Sequence, residues 1–148
     1  MDVQWGYNNI QIKEGDEWKA VFITPYSLYE PLVMFFGQCN SPPMFQAFMD
    51  SAFRDMIAEG WLVIYMDDVL AFAKMEAKCQ EQTKQVLKWM QEEDLHLKLA
   101  KCTFDQTSVE YLGLVVKNRG ICYGNGSPHS IFPVLPNQLY TLFSFLFQ

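Results

Sequence analysis

Trp61-Leu62-Val63-Ile64-Tyr65-Met66-Asp67-Asp68-Val69-Leu70-Ala71-Phe72 decides the fold. Two apolar, β-prone runs of strand length flank a pair of adjacent carboxylates, so the segment reads as a β-hairpin with the acids at its tip. Asp in a turn is often only turn chemistry, because its side chain bonds the local backbone. The company of the pair raises a second reading. Asp2 stands in Asp2-Val3-Gln4-Trp5-Gly6-Tyr7, and an antiparallel sheet could bring it beside the hairpin to make a cluster of three carboxylates. Carboxylates that close repel one another unless cations lie between them.

On the N-terminal side of the hairpin, Phe45, Phe48, Met49, Ala52, Phe53, Met56 and Ile57 recur at three- and four-residue steps and share one helical face. Asn40 or Ser41 suits the cap of that helix, Pro42 or Pro43 its first turn, and Gly60 its end. On the C-terminal side, Cys79, Thr83, Val86, Leu87 and Met90 mark a second amphipathic helix. Its other face carries Lys78, Glu81, Lys84, Lys88 and Glu92 and reads as solvated. Val109 to Val116 looks like a strand pair interrupted near Gly113. Nearer the start, Ile10 to Lys13, a turn at Glu14-Gly15-Asp16, and Trp18 to Ile23 read as a β-hairpin, with a further strand around Leu28 to Phe35. This order predicts an α+β layer fold, with helices packed on one face of an antiparallel sheet.

With 148 residues and a hydrophobic share of 50%, the chain is long enough for one domain with a core. Seventeen acids against eleven bases give a net charge of −6, which argues against a free-standing nucleic-acid binder with a basic footprint. Cys39, Cys79, Cys102 and Cys122 are widely spaced, with no Cys-x-x-Cys pair and no His at ligand spacing. Zinc is therefore not expected, and free buried thiols in a reducing compartment are. No basic segment followed by an apolar run opens the chain, so it reads as intracellular and not secreted. Residues 120–148 differ in kind: they contain no Asp, Glu, Lys or Arg and end in the apolar run Leu139 to Phe147. That run is too short and interrupted to span a bilayer, which needs about 20 apolar residues. No membrane partner is expected.

Four strings occur in an order that resembles reverse transcriptases: Asp2 to Ile10; Phe36-Gly37 with Asn40-Ser41-Pro42 and Phe45-Gln46; Tyr65-Met66-Asp67-Asp68; and Tyr111-Leu112-Gly113. The likeness is to the pol polyprotein of gypsy-type LTR retrotransposons and covers residues 1–121. It implies a polymerase palm-type antiparallel sheet with helices on one face, plus a partial fingers β-hairpin. Residues 122–148 would then be a non-family tail, either disordered or translated from a frame-shifted or intron-derived stretch.

The implied activity is that of an RNA-directed DNA polymerase, a nucleotidyltransferase using two Mg²⁺ ions, with Mn²⁺ as a substitute. By resemblance Asp2 and Asp67 bridge both metals and Asp68 completes the site. Tyr7 stacks under the deoxyribose, while Phe36, Gly37 and Gln46, with Tyr65 and Met66, shape the substrate pocket. Lys101 protonates the pyrophosphate, with Lys98 as its rival, and Tyr111-Leu112-Gly113 forms the primer grip. The implied partners are an RNA or DNA template with primer, a dNTP, and the rest of a pol polyprotein, in the cytoplasm or in virus-like particles. The family parts that precede Asp2, and the thumb, connection and ribonuclease H, are expected to lie outside this sequence.

Met34-Phe35-Phe36-Gly37-Gln38-Cys39-Asn40-Ser41-Pro42 departs from the family's Met-Pro-Phe-Gly-Leu-Thr-Asn-Ala-Pro. The missing proline at Phe35 removes a φ constraint before the pocket glycine. Two rival readings remain beside the enzyme: an inactive transposon-derived relic or binding fragment, and the palm of a viral RNA-dependent RNA polymerase.

Overall fold

The computed structural model describes residues 1–117 and the backbone of residues 120–123. In chain order its strands and helices are β1 (Val3–Gln4), β2 (Phe22–Ile23), β3 (Leu28–Tyr29), α1 (Ser41–Ala52), α2 (Arg54–Ala58), β4 (Leu62–Tyr65) and β5 (Asp68–Ala71). There follow α3 (Glu76–Glu92), β6 (His96–Leu97), β7 (Ser108–Tyr111), β8 (Leu114–Lys117) and β9 (Gly120–Tyr123).

The hairpin forms as its sequence predicts. β4 and β5 pair antiparallel from Leu62↔Ala71 to Tyr65↔Asp68, which leaves Met66 and Asp67 as the turn. Leu62, Ile64 and Val69 enter one core with Phe45, Met49, Phe53, Val86 and Met90. Val63 and Leu70 enter another with Tyr111 and Leu114. Burial on both faces explains why these strands read as continuous apolar runs rather than as an alternation.

Residues 1–4 lie alongside β5. Val69 donates to the Met1 carbonyl and Val3 to the Asp67 carbonyl, both at 2.8 Å. On the other side β1 pairs with β6, Val3 opposite Leu97 and Gln4 opposite His96. The result is the expected α+β arrangement, with α1 and α3 on one face of the hairpin and β7–β8 against the other.

The structure differs from the sequence reading in several details. The hairpin expected between residues 10–13 and 18–23 does not form: Gln11 bridges Val33, β2 pairs with β3, and Glu17–Ala20 is a 3-10 turn. The Lys13–Asp16 turn and the Lys19–Asp16 ion pair at 2.6 Å steer the chain into that turn, and each arm finds its partner in residues 28–34. The first helix is kinked at Phe53, where the Ala52 carbonyl accepts the Trp89 indole N–H and the Phe53 ring enters the core. Leu87 is exposed and Gln82 takes the buried place on α3. Asn40 caps α1 and the prolines open it, as expected, though the Asn40 side chain makes no capping bond; Ser41 Oγ lies 3.1 Å from the Phe35 carbonyl.

Cys39, Cys79 and Cys102 are free thiols, with Cys39 exposed and the other two half-buried, so the expectation of buried thiols does not hold. Strand β9 runs through Cys122 and Tyr123. The expectation for the remainder of the tail lies outside the described residues. Among those described, no helix is long and apolar enough to cross a membrane.

Candidate active site

Asp67 occupies the second position of the hairpin turn and Asp68 the first position of β5, so both acids stand at the turn end of the hairpin. Asp2 forms an antiparallel bridge with Asp68, which puts it beside the strand that follows the Asp67 turn. Their charges are felt. Burial first, then the negative charges of Asp67 and Asp2, holds the Asp68 carboxyl above the usual carboxylate range, against the opposing pull of the N-terminal ammonium and Lys101.

The side chains do not stand as a ready-made cage. Among the described residues no three His, Cys, Asp or Glu groups are placed to hold a metal ion, and Asp2 Oδ2 instead meets Lys101 Nζ at 3.3 Å. The donor set is nevertheless the one a hard divalent cation takes: oxygen ligands of concentrated negative charge, one of them disfavoured in its ionised form by burial and its neighbours. Lys101 is the local counter-charge in this state. Lys98, its rival, meets the site through its backbone, donating to the Asp2 carbonyl at 2.9 Å.

Tyr7 stands beside the acids. Its ring is 4.8 Å from Phe36 and 5.4 Å from Phe45, both edge-on, and Gly6, Tyr7, Phe36, Phe45 and Asp67 line a cavity of about 30 Å³. Burial and then the Asp67 charge raise the Tyr7 hydroxyl above its ordinary value. Gly37 follows Phe36 at φ 101°, a conformation that L side chains rarely adopt. Gln38 Oε1 lies 3.0 Å from the same Ser41 hydroxyl and shares its single proton with the Phe35 carbonyl, tying this loop to α1. A much larger groove, of about 970 Å³, is lined by Trp61, Phe72 and Met75 at the other end of the hairpin, away from the acids.

Gln46, on α1, reaches the turn itself: its Oε1 accepts the Met66 N–H at 2.7 Å. Tyr65 is partly exposed beside it. From the opposite face the Tyr111 hydroxyl donates to the Asp68 carbonyl at 3.1 Å. Tyr111 is buried, and burial raises its hydroxyl far above the ordinary value. Leu112 and Gly113 form the β7–β8 turn, both at positive φ, as a tight two-residue hairpin requires.

A reverse transcriptase (RNA-dependent DNA polymerase) family model matches residues 1–116. The chain belongs to the reverse transcriptase family. Two similar relatives are the Transposon Tf2-3 and Tf2-7 polyproteins of Schizosaccharomyces pombe, each 32% identical over 120 residues, or 81% of this chain. The chain spans 9% of the length of these relatives. A foamy viral protease-reverse transcriptase in complex with RNA/DNA hybrid superposes with a TM-score of 0.74 at 18% identity, over 84% of this chain and 16% of that one. The native prototype foamy virus protease-reverse transcriptase gives 0.71 at 21% identity, over 80% and 16%. At these identities the likeness establishes the fold.

Within this reverse transcriptase domain, β6 was not foreseen, since a two-residue strand is too short for any periodicity to reveal. It pairs with Val3 and Gln4, the residues that follow Asp2, and Lys98 just beyond it bonds the Asp2 carbonyl.

The raised Asp68 carboxyl has a consequence for stability. A carboxyl with a higher value folded than unfolded holds its proton in the folded state after the unfolded chain has ionised, so stability falls as pH rises from the ordinary carboxylate value through the raised one. In metal-free buffer the Asp68 contribution to stability should fall as pH rises from about 4, the ordinary carboxylate value, toward neutral, and Asp68→Asn should lose less. Urea midpoints at the two pH values measure this; equal losses would show that Asp68 is not under charge strain.

Proposed function

We propose that this domain is the catalytic palm, with part of the fingers, of an RNA-directed DNA polymerase from a gypsy-type retrotransposon pol polyprotein. The domain takes in residues 1–121, and its last strand, β9, carries the pairing with β8 on to Tyr123. Its substrates are a dNTP and a primer on an RNA or DNA template, and its setting is the cytoplasm or a virus-like particle. The observation that carries this reading is the bridge of Asp2 to Asp68 next to the turn that carries Asp67, with the Tyr7 ring against the same cavity as Asp67.

Asp2, Asp67 and Asp68 would hold two Mg²⁺ ions, or Mn²⁺ in their place. Such ions lower the pKa of the attacking primer hydroxyl and neutralise the phosphates. Every other step belongs to the chain's own groups. Tyr7, braced by Phe36 and Phe45, supports the sugar of the dNTP and leaves no room for a 2′-hydroxyl. Gly37 lets the backbone approach the nucleotide, and Gln46 fixes the turn. Tyr65 and Met66 face the primer end, and Tyr111, Leu112 and Gly113 carry it toward the acids. Lys101, freed from Asp2, donates a proton to the departing pyrophosphate. The test of the reaction is RNA-templated primer extension by this domain joined to complete fingers and thumb: incorporation lost on Asp67→Asn supports it, and undiminished incorporation overturns it.

The metal site has its own measurement. Bound Mg²⁺ relieves the repulsion among the acids, and at ten times its dissociation constant it should add roughly 1.4 kcal/mol, or roughly 3–6 °C, to the thermal midpoint. Asp67→Asn should show a smaller shift. Equal shifts for the two proteins would place the ion elsewhere.

A further inference from the structure

Met66 sits at φ 56°, in the left-handed region that glycine prefers, at the first position of the two-residue turn that carries Asp67. Its N–H is taken by Gln46 Oε1. The other end of the same carboxamide, Nε2, donates to the Ile64 carbonyl at 3.3 Å and to Asp50 Oδ1 at 2.9 Å. The two ends of the amide therefore have opposite duties. Turned over, Gln46 would present an N–H to the Met66 N–H and an oxygen to two acceptors, so its orientation is set by what surrounds it.

Asp50 supplies the shorter of the two bonds to Nε2. An ionised carboxylate accepts only, and it strengthens the bond it receives. The residue lies one helical turn beyond Gln46 on α1, at the i,i+4 spacing that lets side chains meet. The helix itself is anchored by Phe45 and Met49 in the core. We propose that Asp50 is a positioning residue for the catalytic turn: by deciding which way the Gln46 amide faces, it holds the Met66 N–H and with it the strained turn that presents Asp67 and Asp68. The consequence for nucleotide addition rests on the polymerase reading above; the positioning does not.

The test is amide hydrogen exchange on the full, ¹⁵N-labelled chain, read by NMR. Asp50→Ala removes the acceptor and should speed exchange at Met66 by about fivefold or more, the scale of one lost hydrogen bond, with the β4–β5 ladder amides Val63 and Leu70 changing less than about twofold. The Gln46 side-chain NH₂ resonances should move with it. Asp50→Asn keeps an oxygen at the same reach and should restore Met66 exchange to near that of the unsubstituted chain. Unchanged Met66 exchange in Asp50→Ala would overturn the proposal, as would an equal acceleration at Met66, Val63 and Leu70, which would mark Asp50 as part of general stability. Should Asp50→Ala not fold, Asp50→Leu keeps the volume without the acceptor and is judged by the same outcomes. Because exchange is read without substrate, a failed primer-extension assay would count against the polymerase reading and leave this result standing.

Discussion

Joined to complete fingers and thumb from a Tf2-type polyprotein, this domain should extend a primer on an RNA template with Mg²⁺, and Asp68→Asn should slow that extension by more than about 100-fold. Removing a partner one layer beyond a metal typically costs 10–100-fold, and losing a single preorganised stabilising group costs about 10²–10³-fold, so a direct ligand belongs at or above that range. The 148-residue chain alone should be far slower still. Phosphoryl transfer depends on holding the hydroxyl in line with the phosphorus, and positioning of that kind supplies roughly 7–11 kcal/mol. This chain spans 9% of its polyprotein relatives, and its net charge of −6 opposes a polyanionic template. Steady extension by the isolated chain, abolished by Asp68→Asn, would instead make it a minimal polymerase.

The parts of this fold that the sequence disclosed are those where one physical signal dominates. β4, β5, α1 and α3 are long enough for periodicity to show, and the apolar stripe of Phe45, Met49 and Phe53 is the core that the structure contains. The pairing within residues 10–35 was not legible, because of that segment only Ile10, Ile12 and Met34 reach the core. Trp18, Ile23, Tyr26, Leu28 and Leu32 are all exposed, so no hidden face fixed their pairing. The candidate site was legible as a set of residues but not as an arrangement. Nothing in the spacing of Asp2 and Lys101 announces their ion pair, and nothing in Ala52 or Trp89 announces the bond at the α1 kink. Such contacts join residues far apart in the chain, and their chemistry is decided only once the strands are in register.

The largest effect on stability should come from Phe45→Ala. The Phe45 ring is 1% exposed, stacks near Phe48, and meets Tyr7 edge-on. Gly6 lies so close to it that a Cβ there would run into the ring, which is why a glycine precedes Tyr7. Deleting such a ring leaves a cavity in the core and typically costs about 3–5 kcal/mol, a large share of the about 5–15 kcal/mol that holds a domain folded. Phe36→Ala separates packing of the core from support of Tyr7. Phe36 also touches the Tyr7 ring but is 76% exposed, so its loss removes an aromatic contact worth about 0.5–1.5 kcal/mol and opens no cavity. Urea denaturation of the two variants should therefore give a large drop for Phe45→Ala and a small one for Phe36→Ala. Equal drops would mean that Phe45 contributes through Tyr7 alone, and the joint between α1 and the cavity beside Asp67 would have to be sought in another residue.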